Sequence, residues 1–411
     1  MRRVVVTGWG AVSPWGNGAG VLADGVFNAR SAIRPLSECP GGPWPARTGA
    51  WHPDFQAREH FSALELGTLD RTAQFALLAA REALAMAGDP QGGLDPARCG
   101  IHVGTGMGSA STMEATYHAL FAERASRLKP LTVPTGMNNA CAAQLALSTG
   151  FTGCNLTYCC ACASSAVAIG EGLRRIRHGD ADLMLVGGAE ALLLPGVVLA
   201  WEALRTLADT DPTDPGASCK PFSRKRTGLV LGEGAAFFVI ESLDSALARG
   251  AQPLTELLGF GCGSDSVHLT RPSVEGQARA MRLALKDASL SPSQIGYVNA
   301  HGTATLANDQ TESAAIQAVF GEGVPTLPVS STKAVHGHLM GAAAAIELLV
   351  CLLALQRREV PATAHLDEPD PECVLDHVTG APRAVPDLST VMSNSFAFGG
   401  TTGVLIAGRY R

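Results

Sequence analysis

The chain opens on an apolar run, VVVTGWG at 4–10, and a second run of the same kind, ELLGFGCG, stands at 256–263. Short runs like these, bounded by small residues, predict buried strands. Each is followed by apolar residues spaced three and four apart, over Leu69–Ala87 in the first case and Glu275–Ala288 in the second, which puts one apolar stripe on a helix. A short apolar strand comes next, CGIHVGTG at 99–106 and IGYVNAHGT at 295–303, and then a helix of small residues, Ala163–His178 against Gly341–Gln356. Both series close on two apolar strands, 181–190 with 235–242 and 389–400 with 401–408. Five features recurring in one order predict an internal duplication. The boundary falls in Leu243–Ala251, giving halves of residues 1–250 and 251–411. Alternation of strands and helices argues for an α/β fold with helices covering the sheets. Pro195–Arg226, rich in Pro, Asp and charge, reads as a surface insertion, and the glycines read as strand-end turns.

Composition narrows the function. With 411 residues, 46% hydrophobic and 17% charged, the chain has a large core and none of the signature of disorder. Lys and Arg number 31 against 37 Asp and Glu, a net charge of −6, so no basic surface invites nucleic acid or an anionic membrane. Eleven cysteines, an odd count, and a start without a secretory cleavage pattern favour free thiols and the cytoplasm. The apolar stretch Gly341–Leu355 is short for a membrane span and carries Glu347, so no transmembrane segment is expected.

Three motifs bear on chemistry. GTGMGS at 104–109 follows a strand but lacks the dinucleotide spacing and its acidic partner, so a tight turn is the better reading. TYCCACASSAVAIGEGL at 157–173 contains a CxxC, Cys159 to Cys162. Structural zinc would want a second Cys or His pair at comparable spacing, a redox pair stays open, and a third reading makes Cys162 a nucleophile at a strand-to-helix junction. There the helix N-terminus would lower the thiol pKa and hold an oxyanion, with Cys159 and Cys160 as ordinary small residues. His301, ending the strand YVNAH, and His338, before the small-residue helix, are the candidate partners, brought together if equivalent strand ends of two halves converge.

ACASS around Cys162, NAHGTAT at 299–305, SSTKAVHGHLMGAAAAIE at 330–347 and SNSFAFGGT at 393–401 together resemble the β-ketoacyl-[acyl carrier protein] synthases, specifically the elongating, decarboxylating type of fatty-acid and type II polyketide systems. The resemblance covers essentially the whole chain. It implies the thiolase fold, with duplicated βαβαβαββ halves in a five-layered αβαβα arrangement. It implies Cys162 as the acyl acceptor, His301 and His338 as the pair that promotes malonyl decarboxylation, Lys333 as the residue setting their electrostatics, and Glu312 as the acid linked to Lys333. Asp309 and Glu347 are further matching acids, equally readable as structural. Phe398, with Gly399, matches the gate whose backbone N–H joins that of Cys162 in an oxyanion hole, and Met107 matches an acyl-pocket position. No cofactor is required. A monovalent cation near Asn299, Glu347, Ser393 and Asn394 is implied, as is an acyl carrier protein partner bearing phosphopantetheine.

Arg127, Lys129, Arg205, Lys220, Arg224, Lys225 and Arg226 are the docking candidates for that carrier, since HFSALELGTLDR at 60–71 lacks the usual basic cluster. A homodimer, or a heterodimer with a chain-length-factor-like subunit, is implied, with Pro134–Ala146 and the 157–163 strand as its interface. A non-catalytic partner subunit would lack Cys162. A thiolase would need a C-terminal CxG, whereas Cys351 precedes Leu and Cys373 precedes Val, and a CoA-priming synthase would have Asn in place of His338.

Overall fold

A computed structural model describes residues 1–88 and 93–410. Its first half contributes strands β1 (Val4–Ser13), β2 (Cys99–Gly104), β3 (Asn155–Tyr158), β4 (Leu183–Glu190) and β5 (Gly234–Ser242). The second contributes β6 (Thr255–Ser264), β7 (Val298–Asn299), β8 (Pro328–Ser330), β9 (Thr390–Phe396) and β10 (Thr401–Arg409). Across the sheet the first half runs β3-β2-β4-β5-β1 and the second mirrors it as β6-β10-β9-β7-β8, so both follow one connectivity. The halves join where β1 meets β6 antiparallel at Val5↔Glu256 and Val6↔Thr255.

The helices explain the layering. α1 (Arg71–Met86) and α2 (Ala140–Thr149) pack with one face of the first half's strands in a cluster that includes Phe75, Ala79, Leu145, Leu185 and Phe237. α3 (Ser164–His178) and α6 (Ala343–Arg357) contact strands of both halves and form the middle layer. α4 (Val274–Ala288) and α5 (Leu306–Phe320) cover the outer face of the second half. Helix, sheet, helix, sheet, helix is the five-layered order that the resemblance implies. α6 with its leading turn, Met340–Arg357, has a mean hydropathy of 1.6 and is long enough to span a bilayer, yet 89% of it is buried in the protein. Burial between the two halves, rather than shortness, accounts for its apolar character.

The glycines of the two opening strands are not turns. A Cβ on Gly8 or Gly10 would lie 2.1 and 2.2 Å from the carbonyls of Ala83 and Ala79 on α1; on Gly259 or Gly261 it would lie 2.5 and 2.1 Å from those of Ala284 and Ala280 on α4. Each strand thus lets its helix seat directly on the backbone, and each bulges just before the first of these glycines. The insertion is tied down rather than loose: Arg226, buried, reaches Asp370 at 2.6 Å and Asp309 at 3.8 Å.

Candidate active site

Two equivalent turns meet at the centre. After β3, Ala161 adopts φ +47°, a single 3-10 turn spans Ala161–Ala163, and α3 begins at Ser164. Ser164 secures the turn by accepting from Cys160 N at 2.8 Å and donating to Ala161 O at 2.7 Å. In the second half Met340 adopts φ +48°, a 3-10 turn spans Met340–Ala342, and α6 begins at Ala343. Cys162 occupies the middle of the first turn and Gly341 the middle of the second. Ser165 Oγ then accepts from Ala345 N at 3.0 Å, joining the two helix starts.

His338 lies just before the second turn, with Nε2 3.0 Å from Cys162 Sγ. Its Nδ1 accepts the Met340 N–H at 3.2 Å, which assigns the ring proton to Nε2 and aims that N–H at the sulfur. His301, past the end of β7, packs edge-to-face against His338 with centroids 5.3 Å apart. Lys333, from the short helix Lys333–His336, donates to His301 O at 2.5 Å and sits 3.4 Å from His301 Nδ1. An ammonium only donates, so His301 too carries its proton on Nε2. Burial, then Lys333, holds both imidazoles well below the ordinary histidine range, leaving two neutral rings with N–H donors at a common site.

Cys162 Sγ and one nitrogen from each ring lie within 4.8 Å of one another, a spacing that could suit a metal. The tautomers argue against it: each Nε2 lone pair is tied up by a proton, and the Lys333 charge stands behind His301.

The structure overturns the expectation of an acidic thiol. Burial pushes Cys162 up to about 12, outweighing the Lys333 charge and the Phe398 and Cys162 backbone N–H groups that favour the thiolate. A second correction concerns the acids. Lys333 pairs with Glu347, both fully buried, and burial raises Glu347 to about 7. Glu312 instead accepts the backbone N–H groups of His301 and Gly302, both at 2.8 Å, and so fixes the loop carrying His301. Asp309 accepts from Phe222 N at 2.8 Å beside Arg226, away from the sulfur, which makes it structural.

Cys162, His301, His338 and Phe398 line a narrow cavity of about 60 Å³, where the Phe398 ring stacks on Trp201 at 5.8 Å. Gly399 follows in a left-handed conformation, φ +83°. Met107 does not line this cavity and is 48% exposed on the loop before the helix Ala110–Phe121. Among the docking candidates, Arg226 is buried and Lys220 is half-buried against Asp211, so neither presents a free charge; Lys225 is exposed but paired with Glu368 at 2.6 Å. Arg127, Lys129, Arg205 and Arg224 are exposed. All eleven cysteines are free. The N–H groups of Gly106 and Met107, which a phosphate would need, are taken by Glu190. Sequence reasoning missed Glu190; an acid ending the otherwise apolar run LMLVGGAE was its signal.

Comparison with known proteins places this geometry. Residues 1–246 match "Beta-ketoacyl synthase, N-terminal domain" and residues 254–367 match "Beta-ketoacyl synthase, C-terminal domain". Nodulation protein E of Rhizobium leguminosarum bv. trifolii is 40% identical over 406 residues, 98% of each chain. The 3-oxoacyl-[acyl-carrier-protein] synthase 2 of Staphylococcus aureus (strain N315) is 36% identical over 407 residues, again 98% of each. The solved ishigamide ketosynthase/chain length factor superposes with a TM-score of 0.92 at 34% identity, covering all of both chains. Thiolase-fold acyltransferases are the class that this fold and site define. Within it, the chain belongs to the β-ketoacyl synthase family.

Proposed function

We propose that the chain accepts an acyl group from an acyl carrier protein on Cys162 and extends it by decarboxylative condensation with a malonyl carrier protein, in fatty-acid or type II polyketide synthesis. The observation that carries this reading is the pair of neutral imidazoles whose N–H groups converge beside a buried thiol. In the first step the Cys162 sulfur attacks the thioester carbonyl, with the Phe398 and Cys162 backbone N–H groups bearing the oxyanion, and the phosphopantetheine thiol leaves with a proton. In the second, malonyl thioester loses carbon dioxide to give an enolate. Its oxygen takes the His301 and His338 N–H bonds; its carbon attacks the Cys162 thioester and expels the sulfur. Residues 1–250 supply the nucleophile and residues 251–411 the two histidines, with no cofactor in either step.

A monovalent cation suits one further place. Asn299 Oδ1, Ser393 Oγ and Glu347 Oε2 are buried without hydrogen-bond partners, and Asn299 and Ser393 stand opposite each other on β7 and β9. Asn394 donates its Nδ2 to Glu312 at 3.2 Å, and its Oδ1 too is buried without a hydrogen-bond partner. Such a cation would balance Glu347 behind Lys333.

Exposed Arg127, Lys129, Arg205 and Arg224 are the remaining cations for docking an acidic carrier. Among the described residues the edge strand β3 pairs only with β2, and Val133 and Met137, just before and within the 134–146 segment, are 71% and 50% exposed, which supports a dimer through residues 134–146 and 157–163, with a second copy or a chain-length-factor-like subunit. Met107 then contributes to an acyl pocket completed by the partner, and the enzyme works in the cytoplasm. Intact-mass spectrometry with a panel of acyl carrier proteins tests the reading. Cys162→Ala is expected to abolish acyl loading, and unchanged loading would sink the assignment.

A further inference from the structure

Glu190 ends β4 with no exposed surface and accepts four hydrogen bonds from two distant segments. Oε2 receives Gly106 N at 2.5 Å and Gly341 N at 3.0 Å; Oε1 receives Met107 N at 3.2 Å and Thr105 Oγ at 3.2 Å. Every partner is a donor, which suits the ionised carboxylate, while burial works against it and pushes the group up to about 7. The contact has no slack. A Cβ at Gly341 would sit 2.2 Å from Gly106 N and 2.6 Å from Glu190 Oε2, and one at Gly106 would sit 2.7 Å from the same oxygen. Gly341 directly follows Met340, whose left-handed backbone sends its N–H to His338 Nδ1.

We infer that Glu190 is a positioning residue: by clamping Gly341 to the Thr105–Met107 loop it holds the strained Met340 peptide in place, and through it keeps His338 in the Nε2–H tautomer needed for decarboxylation. This rests on the proposed role of His338. The carboxylate touches neither the sulfur nor any reacting atom in this arrangement. Its action passes along three consecutive links, Glu190 to Gly341 N, Gly341 to Met340, and Met340 N to His338 Nδ1. Loss of the clamp frees Met340 to leave its left-handed conformation, which for a non-glycine residue persists only when its surroundings impose it. His338 Nδ1 then has no fixed donor, and the ring can take the tautomer that points a lone pair, rather than an N–H, at the enolate oxygen.

The test compares two half-reactions in Glu190→Gln, with His338→Ala beside it. Carbon dioxide release from malonyl carrier protein is expected to fall about tenfold or more in Glu190→Gln, while acyl loading of Cys162 stays within about twofold. Spectra of 15N-histidine-labelled protein should show His338 passing from one tautomer to a mixture. Thr105→Val, which removes one donor, should give the same split on a smaller scale, and it decides the matter if Glu190→Gln does not fold. Equal loss in both half-reactions, no loss in either, or an unchanged His338 tautomer overturns the inference. If His338→Ala itself leaves carbon dioxide release intact, it is the assigned role of His338 that fails instead.

Discussion

Replacing Lys333 with Met would separate the electrostatic task of that residue from its catalytic one. The ammonium is fully buried, ion-paired with Glu347 and hydrogen-bonded to His301 O. Removing one partner of a buried pair costs about 3–5 kcal/mol when the other stays charged. At about 2.1 cal/mol/K of unfolding entropy per residue, 411 residues give roughly 0.9 kcal/mol/K, so Tm should drop by about 3–6 °C. The loss depends on pH in a definite direction. Glu347 is raised to about 7 with Lys333 present, and Lys333 is what holds it down, so in Lys333→Met it rises further. Below about pH 7 the acid is protonated in both proteins and this contribution to the gap is small; as pH climbs through that value, only the variant goes on losing stability.

Calorimetry at about pH 6 and about pH 8.5 should therefore show the gap opening at the higher value. Carbon dioxide release should fall about 10²- to 10³-fold at either pH, because His301 Nδ1 has lost the donor that fixes its tautomer. The double variant Lys333→Met/Glu347→Leu should recover most of the Tm, since an apolar pair of similar volume replaces a buried ion pair at little cost. It should not recover decarboxylation. A Tm gap that is the same at both pH values, or a double variant with restored activity, would refute the reasoning.

Two further predictions concern the thiol and the insertion. With Cys162 held near 12 by burial, its alkylation by iodoacetamide should accelerate about tenfold per unit from about pH 6 to about pH 9; a plateau below about pH 8 would mean that the helix start and Lys333 prevail. Arg226→Ala should destabilise the fold by about 3–5 kcal/mol by leaving Asp309 buried and unpaired, whereas Arg205→Ala should raise KM for the carrier protein without moving Tm. Equal thermal behaviour of the two variants would contradict the burial difference between them.

The duplication was legible because apolar periodicity survives in both halves, and the strand order common to both follows from it. The glycines at 8, 10, 259 and 261 were misread because a glycine required by a helix crossing a strand looks, in one dimension, like a glycine required by a turn. That Cys162, His301 and His338 come together was legible in the motifs, but the environment of the thiol was not: a helix N-terminus is visible in sequence, while burial of the sulfur depends on both halves closing over it. Glu312 was assigned to Lys333 in place of Glu347 for a similar reason. Glu312 lies 11 residues from His301 and takes backbone donors there, and the acid that reaches the ammonium comes from α6. Arg226 sits in a charged run that reads as solvated, and only the return of residues near 370 buries it.

The paired turns at the centre have a consequence for how the duplicated halves could diverge. Position for position, Gly341 is the counterpart of Cys162, and it lies so close to Gly106 that no side chain fits there. The second half is thereby barred from carrying a thiol of its own at the mirrored position. Of the two mirrored positions, only that of Cys162 can carry a thiol, as the proposed acyl transfer requires. The asymmetry of a two-substrate reaction is written into the contact between two glycines.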